Sequence, residues 1–161
     1  MSEIESAGSE GGPSEHRFLT IEFIDLVGST DLAEQLDPED LELLLRRYQR
    51  LALTTMERFG GFVAQVFGDG ILVYFGYPAA HENDAERALL AALALLQDLR
   101  DLDTSVHGRT LPRLEARIGV HSGLVLVAQE LLRSAGASRY AVGEAVNLAA
   151  RLQAKRPPAE S

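Results

Sequence analysis

Apolar and polar positions change period several times along the chain, and each change marks an element. From Phe18 to Ile24, Leu19, Ile21 and Phe23 alternate with Phe18, Thr20, Glu22 and Ile24, which predicts a strand. It runs into Asp25-Leu-Val-Gly-Ser-Thr30, a turn of small residues with a hydroxyl pair. The period then lengthens. Leu41, Leu44, Leu45, Tyr48, Leu51, Thr55, Met56 and Phe59 share one helical face; Asp37 and Pro38 suit the start, and Gly60-Gly61 ends it. Two apolar runs, Phe62–Phe67 and Ile71–Phe75, flank Gly68-Asp69-Gly70 and predict a hairpin at the centre of the fold. Asn83-Asp-Ala-Glu86 has the form of a capping box and opens a second helix to about Arg100, with Leu89, Leu93, Leu96 and Leu99 inward. Asp101–Pro112 is a polar connection. Leu114–Val120 alternates as a half-buried strand, His121-Ser-Gly123 turns into a further run, Leu124–Val127, and Tyr140–Val142 is a short strand. Glu144 to about Lys155 is a last helix.

The order is β-α-β-β-α-β, then short strands and a helix. Hairpin-paired strands between helices predict an α+β fold, a ferredoxin-like or palm core whose mainly antiparallel sheet carries helices on one face. The hairpin strands are too close for a crossover helix, which excludes a doubly wound sheet.

Composition narrows the setting. With 161 residues the chain is expected to form one domain, with a Ser/Glu/Gly-rich disordered leader at 1–16, the folded part at 17–155 and a tail at 156–161. Cysteine is absent, so no disulfide or thiolate metal site is available. No apolar run approaches the length of a membrane span, and the expected location is the cytoplasm. A net charge of −9 disfavours nucleic acid as a partner but leaves room for a small anion met by metals, amides and a few arginines.

Asp25 and Asp69 each lie just past a β-run. If the first strand of the hairpin pairs with the first strand of the chain, both carboxylates emerge at one sheet edge. They are then either turn residues or an oxygen-donor site for a hard cation. Two metals so held would clamp an in-line phosphoryl displacement. Gly28-Ser29-Thr30 opens a short helix whose amides suit phosphate, although no P-loop lysine follows. Arg117 is on the polar side of its strand, either solvated or reaching a phosphate. Asn147 and Arg151 share a face of an otherwise apolar helix, bonded to backbone or projecting into a site or subunit interface. No serine, histidine and aspartate set has spacing for a covalent hydrolase.

These residues resemble the catalytic domain of class III nucleotidyl cyclases, the adenylate and guanylate cyclase family. The matching stretches are Phe23-Ile-Asp25-Leu-Val-Gly-Ser-Thr30, Phe67-Gly-Asp69-Gly-Ile-Leu, Arg117-Ile-Gly-Val-His-Ser-Gly123 and Gly143-Glu-Ala-Val-Asn147-Leu-Ala-Ala-Arg151-Leu, in family order between Leu19 and Leu152. His81-Glu-Asn-Asp-Ala-Glu-Arg87 resembles a bacterial subgroup in which the cyclase domain begins a longer signalling protein. The resemblance implies that Asp25 and Asp69 bind two divalent cations, Mg2+ or Mn2+. It implies that Arg117 and the amides of Gly28, Ser29 and Thr30 hold the triphosphate of ATP or GTP. Asn147 is implied to orient the ribose, and Arg151 to stabilise transition-state charge. It also implies a homodimer, the aspartates coming from one protomer and the Asn/Arg pair from the other.

Two positions depart from the family pattern. Gln65 stands where an adenine-reading lysine is expected, and Tyr140 (Ala141 with a one-residue gap) where its partner is expected. Gln65 donates and accepts, so it can meet either purine edge. The family's terminal strand pair is not found before Ser161. The expected function is therefore a cyclase making a 3′,5′-cyclic nucleotide and pyrophosphate. The alternative is a weak or inactive cyclase-like module that binds nucleotide and regulates a partner domain.

Overall fold

A computed structural model describes residues 14–129 and 139–142. Helix Glu144–Lys155, with Asn147 and Arg151, lies outside the described residues, as do residues 1–13 of the leader. The elements, in order, are β1 (Ser14–Leu26), α1 (Ser29–Gln35), α2 (Pro38–Arg58), β2 (Phe62–Phe67), β3 (Gly70–Phe75), α3 (Asp84–Asp98), β4 (Ser105–Val106), β5 (Arg109–Thr110), β6 (Ala116–Gln129) and β7 (Arg139–Val142).

The main sheet has the order β2-β3-β1-β6-β7. β1 is antiparallel to both β3 and β6. Because β2 is in turn antiparallel to β3, it runs parallel to β1 with β3 inserted between them. This is the split βαβ arrangement of an α+β palm. Even-numbered β1 positions Ile24 and Leu26 pack with Leu44, Tyr48, Met56, Leu95 and Leu99 in one core, while Leu19 and Ile21 cluster with Leu72, Tyr74, Tyr77 and Val125 on the other face. The described helices therefore cover one face, as the two-residue period of the strands demands.

Two expectations about the hairpin are corrected. It is not central: β1 occupies the middle, β3 is buried along its whole length, and β2 is outermost and partly exposed. An apolar run reports burial but cannot say which neighbour supplies it. Moreover, β3 rather than β2 pairs with β1, matching Thr20 with Phe75 and Ile24 with Ile71. The crossover through α1 and α2 carries the chain past the adjacent position, and the hairpin return then fills it.

The His121-Ser-Gly123 turn is also absent. β6 continues through it as one strand, opposite an equally extended β1, with Ile21 opposite His121 and Leu19 opposite Gly123. Its polar residues serve the ladder: Thr20 Oγ1 and Ser122 Oγ are 2.7 Å apart. β1 itself starts at Ser14, ahead of the alternating run.

In α3 the inward stripe is Ala88, Ala91, Ala92 and Leu95, continuing to Leu99, whereas Leu89 and Leu93 are 54% and 64% exposed and Leu96 is exposed too. Both stripes obey helical spacing in this Ala/Leu segment. Close approach of α3 to α2 and the sheet selects the smaller side chains. Neither Asp37 nor Asn83 makes a side-chain cap, although each occupies the N-cap position. α2 ends as expected: Gly60 takes φ 78° and the Gly61 amide donates to Met56 O at 2.9 Å.

The polar connection contains the small β4–β5 hairpin, turned by His107 and Gly108 at φ 46° and 77°. Arg47 of α2 anchors it, donating to Asp103 O at 3.1 Å and Ser105 O at 2.7 Å. Glu22 is the anomaly of the core. It is fully buried on the helix side of β1, and neither carboxylate oxygen has a hydrogen-bond partner among the described residues.

Candidate active site

The site forms where β1 ends beside the β2–β3 turn. Asp25 is the penultimate residue of β1, directly opposite Arg117 of β6. The guanidinium faces both carboxylate oxygens, Nε donating to Oδ1 and Nη2 to Oδ2, each at 3.3 Å. Arg117 is thus neither merely solvated nor free; it is a counter-ion to Asp25.

Asp69 occupies the hairpin turn, which Gly68 enters at φ 63°. Its Oδ2 accepts the amide of Leu26 at 3.2 Å, tying it to the residue after Asp25. Asp69 thus lies against the backbone next to Asp25, although the strand pairing that brings the two segments together is not the expected one. α2 fixes the turn from behind. Tyr48 donates its hydroxyl to Asp69 O at 2.9 Å, and Gln49 Nε2 donates to Gly68 O at 2.7 Å. Burial, and then the charges of Asp69 and Asp25, push the Tyr48 phenol above its ordinary range, so it stays a donor. Sequence reasoning placed Tyr48 in the core and missed this contact, and it passed over Gln49. The available signal was a hydroxyl within an aliphatic stripe, since a buried tyrosine needs a partner for its oxygen.

Gly28 precedes α1 at φ 69°, a conformation that glycine tolerates, and the first amides of α1 have no intrahelical acceptor. Ser29 and Thr30 join Leu26 and Asp69 around a mainly apolar cavity of about 320 Å³ between α1, α2 and the hairpin tip. Gln65 is half-buried on β2, opposite Leu72, just after an irregularity in the ladder. Leu72 is itself opposite Phe23. Opposed residues share a face, so Gln65, Leu72 and Phe23 form a row on the face away from the described helices. Asp25 is two positions farther along β1 on that face. Gln65 is about 10 Å across the sheet from Phe23, two strand spacings. Phe67 packs on Phe23, ring centroids 5.5 Å apart. Tyr140 lies on β7, opposite Ala128.

The donor set suits a hard cation. Asp25 and Asp69 offer only oxygen, and no group of three or more His, Cys, Asp or Glu residues is assembled among the described residues. A cation there therefore needs further oxygen from backbone, water or substrate, as Mg2+ and Mn2+ sites commonly do.

The structure therefore has a split palm with an aspartate at the end of β1 and another in the adjoining hairpin turn. Comparison with known proteins makes that specific. The profile described as "Adenylate and Guanylate cyclase catalytic domain" matches residues 13–159, and the chain belongs to this family, the class III cyclases. An adenylate cyclase of Anabaena cylindrica is 30% identical over 150 residues, 89% of this chain and 28% of that protein. An uncharacterised protein of Mycobacterium tuberculosis is 34% identical over 139 residues, 86% of this chain and 24% of its own length. The chain thus spans about a quarter of these curated relatives. Among solved structures, the guanylyl cyclase Cya2 superposes with a TM-score of 0.80 at 34% identity, over 89% of this chain and 71% of that one. The adenylyl cyclase CyaB from P. aeruginosa gives 0.79 at 28%, over 88% and 73%. No helix of the described residues is long and apolar enough to cross a membrane.

Proposed function

We propose that the chain is a nucleotidyl cyclase domain that converts ATP or GTP to a 3′,5′-cyclic nucleotide and pyrophosphate in a homodimer. The observation that carries the reading is the Asp69 carboxylate accepting the amide of Leu26, the residue after Asp25, while Tyr48 holds the Asp69 carbonyl. These two carboxylates would hold two Mg2+ or Mn2+ ions. Bound there, the ions supply activation of the ribose 3′-hydroxyl and neutralisation of phosphate charge. The ribose 3′-oxygen bonds to the α-phosphorus as the bond to pyrophosphate breaks. Arg117 and the Gly28–Thr30 amides hold the triphosphate, and Gln65, with Tyr140, contacts the base. Asn147 of the other protomer orients the ribose, and Arg151 stabilises developing negative charge. Tyr48 and Gln49 keep the hairpin tip in place, so the carboxylates need not reorganise as the reaction proceeds.

Incubation with ATP and, separately, GTP in the presence of Mn2+ should give cyclic product. Asp25→Ala and Arg151→Ala variants, each inactive, should recover activity when mixed, through one intact site per heterodimer. Failure to recover any activity, with subunit exchange demonstrated, would sink the shared-site arrangement. Gln65, in place of a lysine, favours a second reading in which the domain binds nucleotide without turning it over. Intact nucleotide binding with no product at high protein concentration would support it.

A further inference from the structure

We propose that Arg117 is an exchangeable counter-ion: it occupies Asp25 in the metal-free protein, yields that carboxylate to an incoming divalent cation, and transfers to the nucleotide phosphates. The proposal rests on reading Asp25 as a metal ligand. It adds an order to the site, in which cation and nucleotide each favour the binding of the other because one arginine serves both.

The geometry carries the first half. The guanidinium spans both oxygens of Asp25. A cation seeking that carboxylate must therefore compete with it. The pair is held in register by the β1–β6 ladder, so the backbone need not move when the side chains part. Both contacts are 3.3 Å, long for charge-assisted hydrogen bonds, and the side chains are 32% and 21% exposed. Water can replace either partner, so separation is cheap.

Charge carries the second half. Two carboxylates and one guanidinium leave the metal-free site with a single negative charge. Two divalent cations reverse that sign, and Arg117 is then repelled from the position it held. A triphosphate restores a negative field a short distance away, and a planar fork of donors is well matched to it. Asp69 is not contested in this way, since its carboxylate accepts from the uncharged Leu26 amide. The two aspartates should accordingly differ, the Asp69 side taking a cation first and the Asp25 side following as Arg117 leaves.

The test is Mn2+ binding to the metal-free protein, followed by the electron paramagnetic resonance signal of free Mn2+, in wild type, Arg117→Gln and Asp25→Asn. Removing the competing positive charge should tighten binding by about tenfold or more in Arg117→Gln, and Asp25→Asn should lose one ion. A direct readout uses the Arg117 Nε–H resonance of the wild-type protein, identified by its loss in Arg117→Lys, and so does not depend on Arg117→Gln folding. It should exchange with solvent fastest with saturating Mg2+, and more slowly both in chelator and once a non-cyclisable triphosphate analogue is added. A resonance indifferent to Mg2+, or equal Mn2+ affinity in wild type and Arg117→Gln with one ion lost in Asp25→Asn, overturns the exchange and leaves the metal site standing. No Mn2+ binding by wild type or variant, with or without the analogue, overturns the metal site and the exchange with it.

Discussion

Glu22 makes the stability of this domain depend on pH in a direction opposite to that of a paired carboxylate. It is fully buried on β1, opposite Val73 of β3 and Val120 of β6, without a hydrogen-bond partner among the described residues. Burial pushes its pKa from 4.5 up to about 8. The folded state therefore keeps the proton where the unfolded chain has released it. Below pH 4.5 both states are protonated and Glu22 carries no ionisation penalty. Between 4.5 and 8 the unfolded state binds fewer protons, so stability falls as pH rises, and above 8 the loss is complete. At 1.36 kcal/mol per unit the full loss is about 5 kcal/mol, and about 3 kcal/mol is already felt at pH 7. That is a large share of the roughly 5–15 kcal/mol available to a domain. Glu22→Gln keeps the shape and removes the charge. Urea denaturation of wild type and variant from pH 5 to 9 should give curves that nearly meet at the acid end and diverge with rising pH, the variant being the more stable. A difference that stays flat across the range would refute the reasoning, because it would mean that Glu22 finds a cation or water when it ionises.

Other outcomes follow from particular contacts. Leu95→Ala, in the buried stripe of α3, should cost about 2–5 kcal/mol in urea denaturation, whereas Leu93→Gln on the exposed stripe should stay within about 0.5 kcal/mol. The order reverses if the leucines face inward as the sequence pattern suggested. Tyr48→Phe removes the donor to Asp69 O; it should cost about 1 kcal/mol of stability and weaken Mn2+ binding, which calorimetric titration would detect. Gln65→Lys should shift the ratio of activity with ATP and GTP toward ATP, measured as relative kcat/KM; an unchanged ratio would show that Gln65 does not contact the base.

Sequence by itself determined what depends on local order. The strand and helix periods, the Gly68-Asp69 turn, the glycines ending α2 and the α+β class were all legible, because backbone sterics and side-chain period act over a few residues. Asp25, Asp69 and Arg117 were legible as candidates because each is a polar residue in or beside an apolar strand.

Tertiary structure decided what depends on neighbours. Which hairpin strand meets β1 is a matter of how far the crossover travels, and no residue of β2 or β3 encodes it alone. His121-Ser-Gly123 reads as a turn until the full length of β1 lies alongside and gives its backbone a ladder. The inward stripe of α3 was ambiguous because alanine and leucine both satisfy helical spacing, and only the distance to α2 and the sheet selects between them. The pairing of Arg117 with Asp25 was invisible for the same reason: the two are far apart in the chain and become opposite neighbours only through the β1–β6 register. Local chemistry chose the residues of this site, and strand register chose which of them touch.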